Sequence, residues 1–135
     1  MFGGVNDTSH NQWEILDKFK DSDLLAFTTY PTLIYNSPSD IPSGYYEEIS
    51  KHTNLEYIFS EVGWIRTGDI KGWEGSEIEQ SKYIELLGNT SSKGYIWSFL
   101  YDQDVEKPFR YMGLRGVDFN NTETLSEKAW EMIAE

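Results

Sequence analysis

The stretch Tyr57–Ile65, YIFSEVGWI, sets a carboxylate, Glu61, at the end of an apolar run and follows it with Val62, Gly63, Trp64 and Ile65. With the residues before it, LEYIFSEV (Leu55–Val62) reads as a strand. Two further segments share its texture: LLAFTTYP (Leu24–Pro31) and GYIWSFLYD (Gly94–Asp102). All three are rich in aromatic residues and mostly apolar without clean alternation, which suits strands buried on both faces of a parallel sheet.

Helical patterns lie before, between and after these strands. SHNQWEILDKFK carries Ser9 and Gln12 at capping-box spacing, with Trp13, Leu16 and Phe19 on one face. PSGYYEEISKH offers Pro42 and Ser43 as start signals. SEIEQSKYIELLG pairs Ser76 with Glu79 and has Gly88 as its stop, and TLSEKAWEMIAE repeats the capping spacing at Thr124 and Glu127. The order α-β-α-β-α-β-α predicts an α/β fold of parallel βαβ units. The strands end in Thr29-Tyr30-Pro31, Ser60-Glu61-Val62 and Tyr101-Asp102-Gln103, and long loops follow. Parallel α/β folds bind ligands at the carboxyl ends of their strands, so Glu61 stands where such folds place their chemistry.

The totals narrow the partners. The chain has 135 residues, one domain over 1–135, with 39% hydrophobic and 16% aromatic residues. A net charge of −12 argues against nucleic acid and against an anionic membrane surface. With no cysteine there is no disulfide, thiolate metal site or cysteine nucleophile, and the redox compartment stays open. No apolar run approaches the ~20 residues of a membrane span. The start MFGGVNDTSHNQ has neither a basic nor an apolar leader region, so no signal peptide is expected in this chain, and its localisation is unknown.

Several residues read two ways. Glu61 is either a catalytic carboxylate on a rigid strand end or a strand-end glutamate that caps the next helix or pairs with an arginine such as Arg66. Trp64 and Trp97 are either sugar-stacking faces or core residues. Trp73, in KGWEG, is a binding platform or a loop anchor. Tyr30 either donates to Glu61 and tunes it, or packs at its strand end. Asp102 and Asp104 in DQDVE lack the remaining positions of a calcium loop and read as a solvated or capping pair. His10 and His52 lack metal-ligand spacing, and FGGVN is not a phosphate loop, so no metal and no cofactor are expected.

Taken together, LLAFTTYPTLIYNSPSDIPSGYYEEI, EYIFSEVGWI, GSEIEQSKYIELL, GYIWSFLYD and YMGLRGVDFNNTETLSEKAWEMI resemble the final third of a (β/α)8-barrel retaining glycoside hydrolase. The resemblance is to the endo-β-galactanase and β-1,3-glucanase side of that group. Thr28, Tyr30 and Pro31 match the end of its sixth strand; Ser60, Glu61, Gly63 and Trp64 match its seventh. Trp97 matches its eighth, and Gly113, Leu114, Lys128 and Trp130 match its closing Gly-Leu and helix. The resemblance implies a partial barrel of about three parallel strands alternating with helices. It implies Glu61 as nucleophile, with Tyr30 and Trp97 lining the subsite of the reacting sugar, a β-linked oligo- or polysaccharide.

A complete barrel takes about 250 residues and eight strands. The family's acid/base glutamate follows an asparagine at the end of the fourth strand, and Asn54-Leu55-Glu56 does not match that setting. The expected activity alone is therefore weak or nil, with a homo-oligomer or a separately encoded front half as the partner. The alternative is a non-catalytic carbohydrate-binding or assembly module. The blandest reading is a structural α/β protein whose aromatics are only core.

Overall fold

The computed structural model describes residues 13–107, 109–118, 122–125 and Ile133. His10, Ser9 and Gln12 lie outside them, as does the last predicted helix except for Thr124, Leu125 and Ile133.

Three parallel strands form the central sheet: β1 (Leu25–Thr29), β2 (Tyr57–Val62) and, two hairpin strands later in the chain, β5 (Tyr95–Trp97). Their order is β1-β2-β5, with β2 in the middle. Helix α1 (Glu47–His52) lies between β1 and β2 in the chain, and α2 (Glu77–Gly88) between β2 and β5. The fold is α/β, a partial barrel of three parallel strands alternating with helices.

The core lies on the helix side of the sheet. Leu25, Tyr57, Phe59 and Val62 meet Ile49 of α1 and Tyr83 and Leu87 of α2 in one cluster. Thr29 Oγ1 contacts Tyr46 Oη at 3.2 Å, and Tyr46 Oη contacts Tyr83 Oη at 2.8 Å, so a line of hydroxyls crosses this layer and satisfies its buried oxygens. The opposite face is open: Ala26 is exposed, Ile58 half-buried, and Ile96 58% exposed. The expectation of burial on both faces thus holds for the helix side alone, because no layer covers the other face among the described residues.

Elsewhere the chain departs from the sequence reading for local reasons. The first helix is a 3₁₀ segment over Trp13–Phe19. Positions 13, 16 and 19 eclipse at that period; Trp13 and Leu16 pack on the core, while Phe19 is 48% exposed. Helix α1 begins at Glu47 and not near Pro42, because Gly44 adopts φ +86° and the chain turns there first. Helix α2 starts as read, with Ser76 Oγ accepting from Glu79 N, but it runs through Gly88 and is capped at Asn89. The third strand stops at Trp97. Beyond it, Arg115 N donates to Leu100 O and Tyr101 bridges to Arg115, so the segment pairs with β6 (Arg115–Asp118) and leaves the sheet.

Two hairpins occupy stretches that read as loops. Strands β3 (Asp69–Ile70) and β4 (Trp73–Glu74) are joined by Lys71 and Gly72, both at positive φ (48° and 92°), the twist-matched two-residue turn. Strand β6 pairs antiparallel with β7 (Thr122–Leu125), which places Thr124 in a strand and not at a helix start.

Candidate active site

Strand β2 carries a bulge where the chemistry would sit. Phe27 pairs with Phe59 but Thr28 pairs with Glu61, and on the other side Phe59 pairs with Tyr95 while Val62 pairs with Trp97. Both neighbours are therefore one residue short against Ser60–Glu61. A bulge spends one extra residue to re-aim a side chain. Phe59 and Val62 remain on the helix side, fully buried, while Glu61 between them is exposed. The glutamate in the apolar run is tolerated because the bulge turns it out of the core.

The Tyr30 hydroxyl donates to Glu61 Oε1 at 2.5 Å and lies 2.6 Å from Ser98 Oγ. Ser98 Oγ in turn donates to Val62 O at 2.7 Å, and Thr28 Oγ1 makes a longer contact of 3.4 Å to Glu61 Oε2. Ends of all three parallel strands therefore converge on one carboxylate. The Tyr30 phenol is pushed well above the ordinary tyrosine value, first by burial and then by the Glu61 carboxylate, so it stays a proton donor. Its ring stands edge-on to Phe109 with centroids 5.3 Å apart. Gly63 makes room for it: a Cβ there would meet Tyr30 Cε1 at 2.9 Å and Met112 Sδ at 3.2 Å.

Arg66 does not pair with Glu61. Its Nη2 holds Asp102 Oδ2 at 2.5 Å and its Nη1 lies 3.6 Å from Glu77. Asp102, read from sequence as solvated or capping, has a side chain 0% exposed, and its Oδ1 accepts from Gly113 N at 3.0 Å. The Asp102 carboxylate thus ties the loop after β2 to the segment that passes Gly113. Gln80, fully buried on α2, donates to Trp64 O and Gly113 O, both at 3.0 Å, and clamps the same two segments from the helix side.

The tryptophans do not join Glu61. Trp64 is 1% exposed and packs on Tyr83 at 5.1 Å, so its indole has no face free for a sugar; it is a core residue. Trp97, half-buried, is in register with Val62 and faces α2, 6.1 Å from the Tyr83 ring. Its indole N–H is committed to Met112 O at 2.8 Å. Trp73 is half-buried and donates to Thr32 O at 3.3 Å, beside Lys71 Nζ on Leu33 O, which makes it an anchor between its hairpin and the loop after β1. The residue that sequence reading missed is Ser98. The signal was strand parity: if Trp97 faces the helices, its successor faces the side of Glu61.

The described residues contain no cluster of three or more histidines, aspartates or glutamates able to hold a metal, and no helix long and apolar enough to cross a membrane. His52 stacks on Trp13, with ring centroids 4.2 Å apart, and contacts Glu48.

No family model matches the chain, and no curated protein matches it. Among solved structures it is similar to the β-glucuronidase from Ruminococcus gnavus in complex with D-glucuronic acid, with a TM-score of 0.55 and 15% identity over 82% of this chain. A second Ruminococcus gnavus β-glucuronidase structure gives 0.51 and 12% over 84%. This chain covers 22% of the length of each. At that identity the likeness concerns the fold alone and is consistent with a partial barrel.

Proposed function

We propose that the chain carries the nucleophile-side part of a retaining β-glycoside hydrolase site, of the kind found in endo-β-galactanases and β-1,3-glucanases. The observation that supports this is the Glu61 carboxylate, turned out at a bulged strand end and held by the Tyr30 hydroxyl at 2.5 Å. In the reaction, an oxygen of Glu61 bonds to the anomeric carbon as the glycosidic C–O bond breaks. The leaving oxygen keeps the electron pair and takes a proton from an acid; water then releases the sugar.

That acid is a second carboxyl group about 5–5.5 Å from the nucleophile, and the expectation is that a partner supplies it, either a second copy of this chain or a front half of the barrel. Without it the rate falls by about 10²–10⁴-fold. The substrate class is a β-linked oligo- or polysaccharide. Phe109 and Tyr30 are better placed than Trp64, Trp73 or Trp97 to meet it.

A test that needs no acid isolates the nucleophile. A panel of 2-deoxy-2-fluoro-β-glycosyl fluorides, whose leaving group departs unprotonated, is incubated with the protein and the mass is read. One added glycosyl unit on the Glu61 peptide, lost in Glu61→Gln, is expected. Absence of labelling across the panel refutes the nucleophile; glycan binding measured by calorimetry without labelling leaves the carbohydrate-binding alternative. Light scattering over a range of concentrations reads the partner expectation, and a monomer throughout rules out the second copy.

A further inference from the structure

The hydroxyls behind Glu61 pose a counting problem. Three links run in line: Glu61 Oε1 to Tyr30 Oη at 2.5 Å, Tyr30 Oη to Ser98 Oγ at 2.6 Å, and Ser98 Oγ to Val62 O at 2.7 Å. Each link needs one hydrogen. A phenol and a serine hydroxyl bring one each, and a backbone carbonyl brings none. With Glu61 ionised there are two hydrogens for three links. Tyr30 then donates to the anion, and the single Ser98 hydrogen goes either to Val62 O or to Tyr30 Oη; when it goes to Val62 O, the two hydroxyl oxygens face each other without a hydrogen between them. With the negative charge gone from Glu61, the Tyr30 hydrogen is free to turn to Ser98 Oγ while Ser98 keeps its bond to Val62 O. Val62 O also accepts from Ser98 N at 2.9 Å, so the serine backbone is pinned to the same carbonyl and its hydroxyl stays within reach of Tyr30.

We propose that Ser98 is a positioning residue that takes the Tyr30 hydrogen when Glu61 loses its negative charge. The phenol then donates to Glu61 in one state and releases it in the other. This deepens the nucleophile reading: bonding of Glu61 to an anomeric carbon would quench the charge and trigger the turn, and hydrolysis would reverse it. No covalent bond at Tyr30 or Ser98 changes; one O–H rotates. Conversion of Glu61 to a neutral group triggers the same turn without any sugar, so the inference can be tested separately from the reaction.

The test labels tyrosine with ¹³C at Cζ. The chain has nine tyrosines, and the Tyr30 signal is identified by its loss in Tyr30→Phe. Glu61→Gln supplies a neutral side chain whose N–H can donate to Tyr30 Oη. Glu61→Gln is expected to move the Tyr30 signal upfield, as a phenol passes from donor on an anion to acceptor. Adding Ser98→Ala makes that move smaller, because the hydrogen has no serine oxygen to turn to and stays on the neutral carbonyl that Glu61→Gln supplies, and Ser98→Thr restores the full move. An equal move with and without the Ser98 hydroxyl overturns the proposal, and so does no move on Glu61→Gln. The other tyrosine signals report folding in the same spectra. If Ser98→Ala disturbs them, Ser98→Cys replaces it under the same criterion, since a thiol fills the space but accepts weakly. No glycan enters the experiment, so failure to label Glu61 with a glycosyl fluoride would leave this result standing, and the reverse holds too.

Discussion

Removing the Asp102 carboxylate is expected to cost more than any surface change near the site. Its side chain is 0% exposed and holds Arg66, itself 10% exposed, at 2.5 Å, while its other oxygen accepts from Gly113 N at 3.0 Å. In Asp102→Ala the guanidinium keeps only the 3.6 Å contact to Glu77, and the buried Gly113 N–H loses its acceptor. Breaking a buried ion pair from one side costs about 3–5 kcal/mol. An unsatisfied buried N–H costs about 1–3 kcal/mol, and the two overlap because they share one carboxylate. About 4–6 kcal/mol is the expectation, against a whole-domain stability of about 5–15 kcal/mol. At a urea slope of about 2 kcal/mol per molar, the midpoint drops by about 2–3 M. Asp102→Asn keeps an acceptor for Gly113 and loses the charge, so its loss is smaller. Urea unfolding followed by tryptophan fluorescence gives both numbers. A midpoint for Asp102→Ala within about 0.5 M of the wild type would show that the carboxylate does not brace these loops.

The remaining expectations follow from single contacts. In Gly113→Ala a Cβ would sit 2.3 Å from Asp102 N and 2.4 Å from Tyr101 C, backbone atoms that cannot swing aside, so a loss of about 3 kcal/mol or more is expected in the same urea assay. In Gly63→Ala the new atom meets only side chains, Tyr30 Cε1 at 2.9 Å and Met112 Sδ at 3.2 Å, so stability falls by about 1–3 kcal/mol while Glu61 loses its phenol, read as a displaced Tyr30 Cζ signal. Burial pushes the Tyr45, Tyr46 and Tyr83 phenols above the ordinary 10.0, so the unfolded chain releases their protons first and stability falls as pH rises past that value. Tyrosinate absorbance should therefore rise in two phases, the second coinciding with loss of circular dichroism; one smooth phase in a folded protein would contradict the burial. Glu79 lies below the ordinary carboxylate value of 4.5: burial raises it, but Lys82 and Ser37 outweigh that. The stability it contributes is present above that value and is lost as pH falls below it, so Glu79→Gln should flatten the acid limb of the stability profile.

Much of this architecture was legible in the chain because strands and loops announce themselves by different means. The three apolar segments and the Ser76 cap were readable, since buried strands need apolar runs and helices need a polar start. The limits of β5 were not readable from apolarity: Phe99 and Leu100 continue the pattern, yet their carbonyls serve Leu114 and Arg115. The hairpin turn at Lys71-Gly72 was missed because a lysine at positive φ leaves little trace in sequence. At the site, Glu61 and Tyr30 were readable and are bonded to each other. The tryptophans read two ways because a large flat side chain looks the same on paper whether it serves a core or a sugar. Trp64 and Trp97 were drawn to Tyr83, on the helix side.

The division between the two faces of the sheet bears on what the three strands can do. The contacts that fix Trp64 and Trp97 run through Tyr83, Gln80 and Met112. The groups that hold Glu61 are Tyr30, which Ser98 backs, the longer contact from Thr28, and the bulge itself, and each is positioned by those same strands. If Glu61 is the nucleophile proposed above, one preorganised in this way needs nothing from the open face. An acid does, because it must stand across the sugar from Glu61, beyond the edges that β1 and β5 present. On the proposed reading the two halves of a retaining site are separable: one would be built into these strands, and the other would depend on whatever completes the sheet. This is why an activated glycosyl fluoride, which needs only the first half, is the sharper probe. Hydrolysis of an unactivated glycan reports on both halves at once, and its absence alone would leave the role of Glu61 undecided.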